Sequence, residues 1–226
     1  GMKLLDVACG TGVVALTASR HGAKVEGVDL TPELIGRAKE NSKIMGLQAK
    51  FVEGDAEFLP YKENEFDIIL SQYGHMFAPR PSIVVKELAR VLKPGGILAF
   101  STWPKELFMG QFFKLIEDFS PPLPSGVVSP VLWGDMTIIE ERLMDHFENI
   151  EFGRDTMFAP TMSPAHMLRL FEKNAGPLAN LVKALSAEPT QLSNLRSSAL
   201  VLIEKFFSNN FLRQDFLMTR CVKNGE

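Results

Sequence analysis

Short apolar runs alternate with amphipathic stretches through the first hundred residues. Residues 3–8 form an apolar run that ends at glycines, the pattern of a buried strand. Residues 13–21 follow with helical spacing and stop at Gly22. A second strand is predicted over 24–29. Thr31-Pro32-Glu33 then opens a helix, because Thr31 can cap it and Pro32 suits its first turn. That helix runs to about residue 45 and ends at Gly46. Further strands are predicted at 50–53 and 66–71, and an amphipathic helix at 81–92. Lys93-Pro94-Gly95-Gly96 closes that helix with a basic residue, a helix-breaking proline and two glycines. A fifth strand is predicted over 97–103. Strands alternating with helices at this spacing imply a parallel sheet covered by helices on both faces. Such sheets bind ligands at the carboxyl ends of their strands.

After Trp103 the rhythm changes. Residues 107–119 have helical spacing, 120–126 are a proline-rich loop, 137–147 are helical again, and 148–158 form a strand. Residues 162–210 are mostly helical, broken at Gly176-Pro177 and Pro189, and 216–222 make a last strand. No internal repeat, low-complexity tract or clean linker separates these parts. One domain of 1–226 is therefore expected, with a helical insertion at about 162–210. Met157, Phe158, Met162, Met167 and Phe171 either build an adaptable lid over an apolar ligand or form the core face of the insertion. The helical spacing of Met167, Leu170 and Phe171 favours the core for those three.

Composition changes this picture little. The 226 residues are 46% hydrophobic and 23% charged, ordinary for a globular chain able to bury one substantial core. A net charge of -3 makes no electrostatic case for nucleic acid or an anionic membrane. No apolar stretch approaches the roughly 20 residues that span a bilayer. Cys9 and Cys221 match no metal spacing and no disulfide framework, so a reducing cytoplasm is expected, with no metal site. A core strand begins at once, which leaves no room for a signal peptide. Gly1-Met2 reads either as a tag remnant before a start methionine or as a chain lacking an upstream segment.

Candidate chemistry centres on Gly10-Thr11-Gly12-Val13-Val14-Ala15, a G-x-G-x-x-A turn between a strand and a helix. Such a turn lets backbone approach a nucleotide-like cofactor closely, whichever cofactor is bound. Three acids narrow the choice. Asp6, just before the loop, would repel a pyrophosphate seated on the helix N-terminus but suits an ammonium and a sulfonium. Asp29 ends the second strand, where a carboxylate can accept from both ribose hydroxyls. Asp55 follows the third strand and can accept from the exocyclic amine of adenine. Any one of them can equally cap a loop or helix. Together they describe a cationic nucleoside better than a dinucleotide.

These segments resemble a known family. Leu4-Leu5-Asp6-Val7-Ala8-Cys9-Gly10-Thr11-Gly12 resembles motif I of class I S-adenosylmethionine-dependent methyltransferases, and Val25-Glu26-Gly27-Val28-Asp29-Leu30 resembles motif II. Gly54-Asp55-Ala56-Glu57-Phe58-Leu59-Pro60 is similar to the adenine-binding segment, and Phe66-Asp67-Ile68-Ile69-Leu70-Ser71 to motif IV. Arg90-Val91-Leu92-Lys93-Pro94-Gly95-Gly96 is similar to the turn before strand five in the ubiquinone/menaquinone-biosynthesis-type subgroup. The match covers roughly residues 3–103. It implies a Rossmann-like three-layer α/β/α sandwich with a seven-stranded, mostly parallel sheet whose last strand is antiparallel. Residues 1–103 would then be the cofactor-binding half and 104–226 the substrate-side half. The resemblance implies that Asp6 and Gly10 lie near the methionine part of the cofactor and that Asp29 holds the ribose. Asp55 and Ala56, with Glu57 beside them, would frame adenine, and Leu30 would pack on one of its faces. Ala8, Cys9, Thr11 and Gly12 complete the loop, and Ser71 and Gln72 would pass beside the methionine moiety. The chain departs from the family in showing no helices before strand one, which in many relatives cover the pocket.

Methyl transfer from a sulfonium is an in-line displacement in which a protein contributes mainly alignment and desolvation. A base is needed only where the acceptor must lose a proton. Tyr73, His75 and Phe77 follow strand four on the acceptor side. His75 is a candidate general base, or else a residue that orders the loop. Tyr73 is a second catalytic candidate, more naturally a wall. Trp103 and Trp133 are candidates to line an apolar pocket, or core residues. The expected partner is a small-molecule acceptor at O, N or C. Two alternatives stay open: an NAD-type oxidoreductase, which shares the glycine loop, and a non-catalytic cofactor-binding module. Nucleic-acid methylation is disfavoured by Ser71-Gln72-Tyr73-Gly74, which stands where amino-methylating enzymes carry an Asn/Asp-Pro-Pro-Tyr tetrapeptide.

Overall fold

The computed structural model describes residues 1–225, which divide into two compact units. The first comprises residues 1–102, 126–153 and the end of the chain from 218; the second comprises 103–125 and 154–217.

The first unit is built on a sheet. Its strands are β1 (Lys3–Val7), β2 (Lys24–Asp29), β3 (Ala49–Glu53), β4 (Phe66–Gln72) and β5 (Leu92–Thr102), joined by the start of β6 (Phe147–Pro160) and the end of β8 (Phe211–Lys223). The order is β3-β2-β1-β4-β5-β8-β6, and β1 pairs in parallel with both β2 and β4. The last strand runs against β5. Cys221 Sγ lies 3.8 Å from the carbonyl of Leu98, and Lys223 Nζ 2.7 Å from that of Leu92, so partners retreat along β5 as β8 advances. This is the Rossmann-like, mostly parallel sheet expected from the sequence.

Helices α1 (Val13–Arg20) and α2 (Pro32–Met45) pack on β1–β3, and α3 (Pro81–Val91) packs on β5. Leu4, Val25 and Phe51 of the sheet meet Ala15 and Leu16 of α1 and Ile35 and Ala38 of α2 in one buried cluster. Burying each large apolar side chain there stabilises the fold by about 1.5–3 kcal/mol. Gly12 is what lets α1 sit so close. Its φ is 84°, and a Cβ on it would lie 2.9 Å from Phe51 Cζ.

Two local readings change. Thr31 occupies the N-cap of α2, but its side chain makes no capping bond; Pro32 alone sets the helix start. β5 begins at Leu92, ahead of the expected 97. Leu92 already pairs with Phe66, and Lys93 to Gly96 loop out as a bulge before Ile97 pairs with Ile68. The stop signal ends α3 without delaying the strand.

The second unit is helical, built from α4 (Phe108–Asp118), α6 (Pro164–Asn174), α7 (Gly176–Ala184) and α8 (Pro189–Phe206); α5 (Met136–Leu143) belongs to the first. Phe108, Phe112, Met167, Leu181, Leu195 and Ile203 make its core, with Leu170 and Phe171 packed against them. The methionine-rich stretch therefore divides: Met167, Leu170 and Phe171 serve the core, whereas Phe158 and Met162 are exposed (61% and 73%). One strand was not foreseen. The two residues of β7 (Phe207–Ser208) pair antiparallel with the start of β8 around Asn209-Asn210. Both asparagines have positive φ, 49° and 63°, the geometry of a tight two-residue hairpin. That brings the sheet to eight strands among the described residues. No helix among them is long and apolar enough to cross a membrane.

Candidate functional site

The carboxyl ends of β1, β2 and β3 open onto one cleft of about 640 Å³. The glycine loop is its near wall. Cys9 donates to the carbonyl of Val28 (3.0 Å) and Gly12 to that of Cys9 (2.9 Å), folding the chain sharply between β1 and α1. Gly10 has φ 54° and nothing within 4 Å of where a Cβ would stand, so its backbone faces open space.

Asp29 ties the loop to β2. Its Oδ2 accepts from Gly10 N at 2.8 Å and its Oδ1 from Thr31 N at 2.9 Å. Each ionised oxygen can still accept again. Asp55, exposed beyond β3, turns one oxygen to Glu57 N (2.9 Å). Glu57 is committed to Arg80, taking its backbone N–H at 2.7 Å and Nε at 2.8 Å. Its carboxylate thereby braces the cleft wall to which Glu57 itself belongs. Leu30 and Phe77 present apolar surface, 65% and 46% exposed.

Of the residues singled out in the sequence, Ala8, Gly10, Asp29, Leu30, Asp55, Ala56, Glu57 and Phe77 line the cleft. Others lie elsewhere. Asp6 is 1% exposed beneath the loop, and its Oδ2 accepts from Ala15 N at 2.9 Å. Burial pushes its carboxyl up to about 7, with the charge of Asp29 adding to the rise and the Ala15 bond opposing it. It buttresses the loop from inside instead of facing the cleft. Cys9 turns its sulfur into the core cluster, where burial raises its thiol further. Thr11 receives Asn41 Nδ2 on its carbonyl (3.0 Å). Gln72 is exposed, and Tyr73, at φ 61°, donates its N–H to Ser101 O (3.1 Å); neither lines the cleft.

Ser71 and His75 lie inward. Ser71 Oγ donates to the carbonyl of Val7 (2.8 Å), and the His75 ring meets Ser71 Oγ through Nδ1 at 3.0 Å. The His75 ring packs edge-on against Phe100 (4.6 Å) and Trp133 (4.7 Å). It is 1% exposed; burial, then the charge of Arg142, lowers its pKa to about 3. A sealed, neutral imidazole has no path to an acceptor proton, so the structure does not place His75 as a general base. Trp133, 1% exposed beneath the Arg142 guanidinium (4.5 Å), is core and not pocket lining. Trp103 is buried and belongs to the second unit.

Sequence reasoning missed Gly74 and Pro79–Arg80 as cleft walls. The signal was available for Arg80. It immediately precedes the Pro81 that starts α3, hence lies in the connection leading from the carboxyl end of β4 into that helix.

Known proteins resemble this chain. A family model described as a methyltransferase domain matches residues 5–100. An uncharacterized protein of Mycobacterium bovis is 32% identical over 224 residues, 99% of this chain and 82% of its own length. The chain belongs to the same family as this mycobacterial protein, and its residues 5–100 are a methyltransferase domain. A demethylmenaquinone methyltransferase of Staphylococcus saprophyticus is 35% identical over 128 residues, 54% of each chain. The fold is shared with a phosphoethanolamine N-methyltransferase of Haemonchus contortus, solved with phosphomonomethylethanolamine and S-adenosylhomocysteine. Its TM-score is 0.60 at 18% identity, over 99% of this chain and 49% of that one.

Proposed function

We propose that the cleft holds S-adenosylmethionine and that the chain transfers its methyl group to a small-molecule acceptor at O, N or C. The observation that carries this is Asp29, fixed by two backbone N–H groups at the mouth of the glycine loop with acceptor capacity left on both oxygens. A ribose diol is the natural partner of such a carboxylate. The surroundings fit the rest of a nucleoside. Leu30 offers an exposed apolar face for a purine, and Asp55 is an acceptor for its exocyclic amine. Bound there, the cofactor supplies a methyl group already activated on a sulfonium. The chain then has to orient donor and acceptor and exclude water, and this reading assigns no general base. The 35% identical demethylmenaquinone methyltransferase supports placement in the ubiquinone/menaquinone-type subgroup, over half of each chain. That coverage supports the donor chemistry and leaves the acceptor open. Calorimetric titration tests the reading: saturable binding of S-adenosylhomocysteine and none of NAD is expected. Binding of NAD alone would overturn it in favour of an oxidoreductase.

A further inference from the structure

We propose that Ala8 is a positioning residue whose methyl group, pressed against Gly74, sets the gap between the glycine loop and the wall of the cleft that follows β4. The inference rests on the reading of the cleft as the cofactor site.

The backbone requirements of the two positions run opposite to their side chains. Ala8 has φ 55°, in the left-handed region that favours glycine, so its methyl is held at a conformational cost. Gly74 has φ -81° and ψ -43°, ordinary helical values that any residue adopts. Glycine at 74 is required for another reason. A Cβ there would overlap Ala8 Cβ and lie 2.9 Å from the Ala8 carbonyl oxygen. The methyl thus sits where the backbone resists it, and the space for it is made where the backbone would accept a side chain.

Both residues line the cleft, as do Phe77, Ala78, Pro79 and Arg80 just downstream. The intervening segment is pinned on its other sides. Ser71 Oγ holds Val7 O at 2.8 Å, Tyr73 N holds Ser101 O at 3.1 Å, and Phe77 N closes a turn on Gly74 O at 3.1 Å. The contact of Ala8 with Gly74 adds a stop on the side of the glycine loop. Remove the methyl and the residues beside Gly74 can settle toward the glycine loop, narrowing the cleft there, while Arg80 stays held by Glu57. A wall set in advance lowers the ordering cost of binding.

The test is a double-mutant cycle of Ala8→Gly and Gly74→Ala, reading the thermal midpoint and S-adenosylhomocysteine affinity. Ala8→Gly is expected to keep or raise the midpoint while weakening affinity about tenfold. A residue that served folding alone would not move the two readouts in opposite directions. Gly74→Ala lowers both. Adding Ala8→Gly to it removes the overlap of the two Cβ atoms but not the 2.9 Å contact with the carbonyl oxygen of residue 8, so it restores part of the midpoint and part of the affinity. Wild-type affinity in Ala8→Gly, or a double variant no better than Gly74→Ala, would overturn the proposal. If the wild-type protein binds no S-adenosylhomocysteine, the assigned function falls. The recovery of midpoint in the double variant still decides the steric pairing.

Discussion

Two groups of residues stand at the carboxyl ends of the sheet and have opposite fates. Asp29, Leu30 and Asp55, past β2 and β3, border open space. Ser71, His75 and Phe100, at the ends of β4 and β5, are sealed beneath Trp133. Topology brings both groups to the end of the sheet where such folds bind ligands. What separates them is bulk. Around the glycine loop the chain is small-sided, and nothing stands within 4 Å of where a Gly10 side chain would be. Around His75, three rings pack edge to face, with Phe100 and Trp133 themselves 5.6 Å apart. Polar chemistry at a strand end becomes a site only where the neighbours leave room for a ligand.

Removing the bulk is the strongest way to break this contrast. Trp133→Ala takes away a ring that is 1% exposed and contacts His75, Phe100 and Arg142 together. It should cost about 3–5 kcal/mol of stability, the range for large aromatic deletions in a core. Urea denaturation gives the value. Affinity of the folded protein for S-adenosylhomocysteine should stay within about threefold, a threefold change being well under 1 kcal/mol. A tenfold loss of affinity with little change in stability would place Trp133 in the binding site after all.

Asp29→Ala sharpens the contrast from the other side. It removes the carboxylate that orients Gly10 and Thr31 and offers acceptors to a ribose. Charge-assisted bonds of this kind are worth about 1.5–3 kcal/mol, so affinity should fall roughly 10- to 100-fold. Circular dichroism should be unchanged, because the freed N–H groups lie beside the cleft, within reach of water. Equal affinity in titration calorimetry would remove Asp29 from the site.

The sequence was most legible where a physical constraint is local. Glycines that permit a tight turn, a proline at the first turn of α2, and alternating strands and helices announced the sheet and the loop. Asp29 and Asp55 were legible because strand ends fix their place. Burial was not. Nothing in Ser71-Gln72-Tyr73-Gly74-His75 says that Trp133, far along the chain, closes over the imidazole. Asp6 was half legible for the same reason. Its place under the loop was readable, but its bond to Ala15 N depends on how α1 docks. Glu57 was hidden by a partner, since only the fold brings Arg80 onto both its oxygens. The hairpin at Asn209-Asn210 had a local signal, two residues tolerant of positive φ, inside what reads as continuous helix.

The smallest effect tests whether His75 is as sealed as its packing implies. Ser71 Oγ gives its proton to Val7 O and so must accept from Nδ1–H of His75, leaving Nε2 as the unprotonated nitrogen. Among the described residues Nε2 has no hydrogen-bond partner. Protonating it would bury a charge facing Arg142, which is why the pKa falls to about 3. In the unfolded chain the same ring titrates near 6.5. Below that value the unfolded state binds a proton that the folded state does not, so stability falls as pH drops from 6.5 toward 3. Above 6.5 the ring is neutral in both states and contributes no pH dependence. Comparing wild type with His75→Gln cancels the other titrating groups to first order. Their difference in unfolding free energy should be flat well above pH 6.5 and shift against wild type by about 1.4 kcal/mol per pH unit once well below it. Parallel profiles down to pH 5 would mean that the imidazole takes up its proton in the folded state. It would then be reachable from water, and the divide between open cleft and sealed wedge would have to be redrawn at His75.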